Sequence, residues 1–365
     1  MNNSEVKSRK NALKTIIQFV IFVGLGIFFI WLSLRSLDKE DIRMIFDSMS
    51  MINNPVSWFL LVMAALFALF ADFARAVRGR LLLEPLGYKV RYSMSFYSVM
   101  VCYMANLALP RLGEILRCSF LQRFENVPFQ KSLGTVVTER AVDIICWFVL
   151  LMVAVAMNTS MLSEVVVDQD TQMTVRMWME QKGLSILSNY FIFILIAFII
   201  VLYFLFRLTR KWWSHVAWML KVRSFLVGIW QGVISIKDLP HPGRYVLWTF
   251  IMWIAYFLGT YSCILALPFL SHAGPGAAFS VLIFGTIAFM ISQGGLGSYP
   301  LITAGILVLY GVPYTQGLAG GWIGWILQTA VSIGFGLLSL VAASFYKKKD
   351  SVNPIPTDEN PSSSQ

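Results

Sequence analysis

Charge is scarce in this chain. Of its 365 residues, 13% are Asp, Glu, Lys or Arg, against about 25% in ordinary soluble domains. From Pro275 to Phe345 there is none at all. Cysteine is scarce too: Cys102, Cys118, Cys146 and Cys263 lie in or beside apolar stretches and form no CxxC pair. That spacing argues against a disulfide framework and against a zinc site. The three histidines, His215, His241 and His272, are scattered, so no metal centre and no cofactor is expected. What fills the chain instead is apolar: 57% of residues are hydrophobic, and the mean hydropathy is +0.68. Runs near 20 residues recur from end to end, as bilayer-crossing helices require. The expectation is an all-α, polytopic membrane bundle with no sizeable soluble domain beside it.

The first apolar run, Thr15 to Leu34, follows Lys7, Arg9, Lys10 and Lys14. It is too long for a signal-peptide core and reads as a retained helix. Others run from Trp58 to about Ala74, Met94 to Leu109, Lys131 to Met157, Tyr190 to Phe206 and Val246 to Leu270. Residues 1–14 read as a cytoplasmic segment, 15–346 as one transmembrane domain and 347–365 as a disordered cytoplasmic tail. Positive charge tests the threading, because loops rich in Lys and Arg stay inside. Segment 35–57 holds three Lys/Arg, 75–93 five, 158–189 two and 207–245 seven. If Met94–Leu109 crossed completely, the seven-fold basic segment would fall outside.

The pattern is repaired if the chain enters the membrane, turns at "NLALPRLGEILR" (residues 106–117) and returns to the side it left. Met94–Leu109 is also short, about 24 Å of helix against a hydrocarbon core of about 30 Å. "ISQGGLGSYPL", residues 291–301, interrupts the charge-free block in the same way. It leaves the arms Gly276–Ile291 and Ser298–Tyr310. Gly294, Gly295, Gly297 and Pro300 cannot continue a helix there. The expected architecture is about six full spans plus two re-entrant hairpins from opposite faces, with both termini cytoplasmic. Transporters place broken helices of this kind near the midplane, with helix N-termini aimed at anions. Pro110 suits the first turn of the first returning arm, with Gly113 in its structural turn. Ser298 reads as N-cap of the second, with Pro300 in the turn after it. The two tips are expected to share one polar cavity.

"TERAVDIICWFVL", residues 138–150, puts charge inside a span. Glu139 and Asp143 lie four apart and share a helix face, with Arg140 about 100° around. A charge at mid-span costs roughly 2.5–3.5 kcal/mol, so these side chains should face a polar cavity and pair with Arg111 or Arg117. Glu139 is expected nearer the cytoplasmic interface and better solvated than Asp143. Asp72 and Arg75 read as an interfacial salt pair. The segment 211–239, with three early tryptophans and flanking basic residues, reads as a helix lying on the cytoplasmic interface. The net charge of +10 is mostly the positive-inside bias and requires no nucleic acid.

Four stretches, "ARAVRGRLLLEPLGYKV", "YMANLALPRLGEILRCSFLQR", "FQKSLGTVVTERAVDII" and "GGLGSYPLITAGILVLYGVP", occur in the order seen in a bacterial and archaeal membrane family. The chain resembles the lysylphosphatidylglycerol synthetase transmembrane, flippase-like family over about residues 15–345. By that resemblance Asn106, Pro110, Arg111, Gly113, Glu114 and Arg117 match a first motif. Glu139, Arg140 and Asp143 match a second, and Gly294, Gly295 and Gly297 a third. The family usually has proline before the glycine turn and glutamate three residues after its last glycine. Here Gln293 and Pro300 stand in those places. Full-length aminoacyl-phospholipid synthetases also carry a soluble transferase domain, which is not expected here, so the chain should not make the aminoacyl lipid by itself.

Taken with the broken helices and buried charges, the resemblance implies a protein that flips a phosphate-bearing lipid across the cytoplasmic membrane. The expected substrate-binding groups are Asn106, Arg111, Glu114, Arg117, Glu139, Arg140, Asp143, Gln293 and Ser298. A membrane-embedded lipid-linked glycosyl- or aminoacyl-transferase subunit is the alternative, or a non-transporting partner of a separate lipid-modifying enzyme. No catalytic residue is assigned, and an enzyme is the less favoured reading.

Overall fold

A computed structural model describes residues 43, 47, 50, 52, 54–109, 112–163, 166–168, 173–174 and 239–346. The expected spans 15–34 and 190–206, the interfacial helix 211–239 up to its last residue and the tail 347–365 lie outside the described residues. The regular elements among them are helices apart from one short antiparallel ribbon, β1 (Val166–Asp168) with β2 (Met173–Thr174). Five helical segments among them are long and apolar enough to cross a membrane: Pro55–Leu86, Phe129–Met157, Pro242–Ala266, Ser271–Ile291 and Tyr314–Ser344. This is a polytopic helical membrane protein.

The helices are α1 (Pro55–Leu83), α2 (Tyr92–Ala108), α3 (Leu112–Glu125), α4 (Phe129–Ser163) and α5 (Pro242–Ala266). After them come α6 (Gly274–Ile291), α7 (Ser298–Val308) and α8 (Tyr314–Ser344). Helix α1 starts cleanly. Pro55 occupies the first helical position and Asn54 Oδ1 accepts the Val56 N–H at 3.0 Å, a side-chain cap on a donor that has no partner within the helix. Helix α1 also runs past the expected end at Ala74. Arg75, Arg78 and Arg80 therefore sit on helix, where charge counting alone suggests a cytoplasmic loop. Arg78 is fully buried. Its Nη2 donates to Tyr245 Oη at 3.0 Å, and Nη1 meets Met252 Sδ at 3.1 Å. Long-range partners on α5 solvate a charge that local composition assigns to water. Asp72 is likewise buried, at 2% exposure.

The chain divides into two compact units. One comprises Met1–Ala68, Ala141–Gln231 and Tyr256–Gln328. Its core includes Leu267, Leu270, Ala277, Ala278, Leu307 and Ala319. Small residues let its helices approach closely, as membrane helices do in the absence of a hydrophobic drive between them. A Cβ at Gly321 of α8 would lie 2.6 Å from Pro300 Cα of α7, and one at Gly317 would lie 3.0 Å from Ala304 Cα. The other unit comprises Leu69–Arg140, Gly232–Ala255 and Thr329–Gln365. Met94, Val101, Phe120, Leu121 and Val127 lie in its core. Large apolar side chains point outward on several helices, Phe250 at 64% exposure among them. On a water-soluble surface so many would be a liability; in lipid this is the required exterior.

Two helix pairs break and pack back on themselves: α2 with α3, and α6 with α7. Helix α2 has 17 residues and α3 has 14, about 26 and 21 Å of helix. Helix α7 has 11, about 17 Å. The segment entering the second pair is longer than the arm expected from sequence. A 3-10 turn, Ser271–Ala273, precedes α6, so 21 residues are continuous and length alone does not prevent a crossing.

Candidate functional site

In the first helix pair, α3 is seated on α2 by its own missing side chain. The first N–H groups of a helix lack intrahelical partners. Asn106, near the end of α2, supplies one: its Oδ1 accepts the Gly113 N–H at 2.9 Å. A Cβ on Gly113 would stand 2.7 Å from Asn106 Cγ and would run into the Cys102 carbonyl oxygen. Gly113 is therefore a close-packing glycine inside α3, not the turn residue expected. Pro110 and Arg111 lie outside the described residues.

Four charges join α3 to α4 in two ion pairs of opposite sense. Arg117 of α3 donates from Nη1 to Glu139 Oε2 at 2.9 Å and from Nη2 to Oε1 at 2.8 Å. Both residues are buried, at 6% and 2% exposure. This overturns the expectation that Glu139 is well solvated: α1 covers it with Gly79, where a Cβ would lie 2.6 Å from Glu139 Oε1. Glu139 takes one N–H from each terminal nitrogen of Arg117, a pairing expected from the sequence. The second pair runs the other way, Arg140 Nη2 of α4 to Glu114 Oε1 of α3 at 3.0 Å. Here the side chains are 45% and 23% exposed. Glu114 stands in the first turn of α3, where the helix dipole favours a carboxylate. Asp143 is one turn beyond Glu139 on α4 and is partly exposed.

The second pair of helices, in the other unit, carries no charge. Its turn needs glycine at Gly294 (φ 57°), Gly295 (φ 74°) and Gly297 (φ 71°), all left-handed conformations that a Cβ disfavours. Gly297, not Ser298, is the N-cap of α7. The local cap preference is overridden because Ser298 Oγ donates instead to the Ala288 carbonyl of α6 at 2.9 Å and also meets Ser292 Oγ. Ser298 is thus turned into the hairpin's own backbone. Pro300 is buried against Gly321. The Gln293 side chain lies outside the described residues.

Sequence reasoning missed the groups that brace these elements. Trp325 of α8 donates its indole N–H to the Gly294 carbonyl at 2.8 Å, and Trp147 of α4 donates to the Ile283 carbonyl at 3.0 Å. Neither contact has a local signature. Gly79 does: a glycine inside a helical run, here between Arg78 and Arg80, marks either a weak point or a close approach.

The family described as Lysylphosphatidylglycerol synthase TM region matches residues 15–341, and the chain belongs to that family. No curated protein matches it, and no solved structure does.

Proposed function

We propose that this member of the lysylphosphatidylglycerol synthase TM family translocates a phosphate-bearing lipid across the cytoplasmic membrane. The observation that carries the reading is the quartet Glu114, Arg117, Glu139 and Arg140 between a short broken helix and a long apolar one. Buried ion pairs rarely improve on apolar packing for stability, and ionisable groups within membrane segments mark pathways for polar cargo. In this reading the α2–α3 and α6–α7 pairs are re-entrant arms, and Asp143 lies along the path on the face of α4 that carries Glu139. The head group passes the polar cluster while the acyl tails stay in lipid.

Reconstituted vesicles loaded on one leaflet with a fluorescent anionic phospholipid test this. Wild-type protein should equilibrate the leaflets, while Asp143→Asn should insert and fold normally and lose that activity. Leaflets that never equilibrate with folded wild-type protein, or a chemically altered lipid product, would overturn the proposal. The orientation rests on the Lys/Arg distribution, which places both termini and residues 111–131 in the cytoplasm. Single cysteines at Gln122 and Gln130 in a cysteine-free background should react only with reagent supplied from the cytoplasmic side. Labelling from outside would make α2 a complete crossing.

A further inference from the structure

We propose that Arg140 is the residue that receives the phosphate, and that Glu114 occupies it as a built-in substitute until the phosphate arrives. The inference rests on the translocation reading for its lipid source but makes a separate claim about binding.

The two ion pairs between α3 and α4 are built differently. Arg117 and Glu139 meet fork to fork, both enclosed. Glu139 takes one N–H from each terminal nitrogen of Arg117, and enclosure shuts the remaining donors off from a guest. Among the described residues Arg140 makes one hydrogen bond, through Nη2, and nearly half of its side chain is exposed. A guanidinium carries five N–H donors in a planar fork, so most of this one is uncommitted. Glu114 is the complementary half of the argument. Its Oε1 accepts from Arg140, while its Oε2 is enclosed and accepts no hydrogen bond. The carboxylate therefore holds Arg140 by one oxygen, where a bidentate pair would use two.

A phosphate ester fits the vacant donors better than this carboxylate does. Two of its oxygens match the guanidinium fork, giving parallel charge-assisted bonds that one carboxylate oxygen cannot. Displaced Glu114 is not stranded. It remains in the first turn of α3, where the positive end of the helix favours its charge. Nor does the exchange disturb the buried pair, because Arg140 points about 100° away from Glu139 around α4. The ligand is a phosphate group, free or esterified. The same chemistry could be offered by a lipid head group or by free phosphate in water, and the geometry of Arg140 alone answers to both.

The purified full-length protein in neutral-lipid nanodiscs is titrated with phosphatidic acid and, separately, with inorganic phosphate, with thermal midpoints recorded for each variant. Glu114→Gln removes the competitor and should tighten phosphatidic acid binding about threefold, the size expected of a half-exposed pair. Arg140→Gln should weaken it about tenfold or more, as the loss of charge-assisted bonds requires. The double variant should match Arg140→Gln. These opposite signs separate a binding role from a structural one, since a mere strut would respond alike to loss of either end. Two single variants that both weaken binding would overturn the proposal. If Arg140→Gln does not fold, Glu114→Gln decides alone, tightening supporting the assignment and weakening overturning it. Binding of phosphatidic acid but not of inorganic phosphate supports the lipid source; the reverse overturns it. Opposite-sign shifts in a protein that equilibrates no leaflets would leave the subsite standing and remove the translocation reading.

Discussion

Glu139→Ala should cost the folded protein about 3–5 kcal/mol, the penalty for leaving one member of an enclosed ion pair without its counter-charge. Arg140→Ala should cost about 0–1 kcal/mol, because its pair is half-exposed and held by one contact. The contrast follows from burial, since the two pairs use the same chemistry between the same two helices. Arg117 and Glu139 have exchanged water for each other, and Gly79 closes over them. Replacing both partners with apolar residues, Arg117→Met with Glu139→Leu, should restore most of the lost stability, because no charge is then left to desolvate. Denaturant unfolding of the purified variants in one detergent decides this. Equal losses for Glu139→Ala and Arg140→Ala would remove the distinction between an enclosed clasp and an open one.

Gly113→Ala should be the most damaging single methyl in the first helix pair. The added carbon has nowhere to go, since a carbonyl of α2 lies in its way. Overpacking of this sort costs about 1–3 kcal/mol, and separating the helices forfeits the Asn106 bond to the Gly113 N–H, worth about 1 kcal/mol. Gly134→Ala is the control. It lies in α4, and a methyl there would meet nothing among the described residues within 4 Å. Exchanging glycine for alanine in an open helix gains up to about 1 kcal/mol. The two variants should therefore move the unfolding midpoint in opposite directions. A Gly113→Ala protein as stable as wild type would show that α2 and α3 are free to part.

Much of this is legible in the sequence, and the misses share a cause. The break between α2 and α3 can be read because proline, asparagine and a charge count all mark it locally. The three left-handed glycines of the α6–α7 turn can be read for the same reason. The end of α1 cannot. Arg75, Arg78 and Arg80 look like the start of an aqueous loop, whereas the buried Arg78 finds partners in Tyr245 and Met252, more than 160 residues away in the chain. Ser298 satisfies the local rule for an N-cap, yet a carbonyl ten residues earlier claims its hydroxyl. The quartet is half visible: its residues stand out in the sequence, but which carboxylate meets which guanidinium depends on how α3 lies along α4. Glu139 looks solvated when its depth is judged along one helix, without the glycine of α1 that covers it.

The equal number of cations and anions in the quartet has an electrical consequence. Two arginines and two glutamates sum to zero charge within one cluster. A field across the bilayer does work of about 2.3 kcal/mol on each elementary charge carried through 100 mV. It does almost none on a neutral group that moves as a block, so this quartet contributes no net gating charge. If the proposed translocation moves the cluster intact, any voltage sensitivity must then come from the lipid carried or from residues elsewhere in the chain.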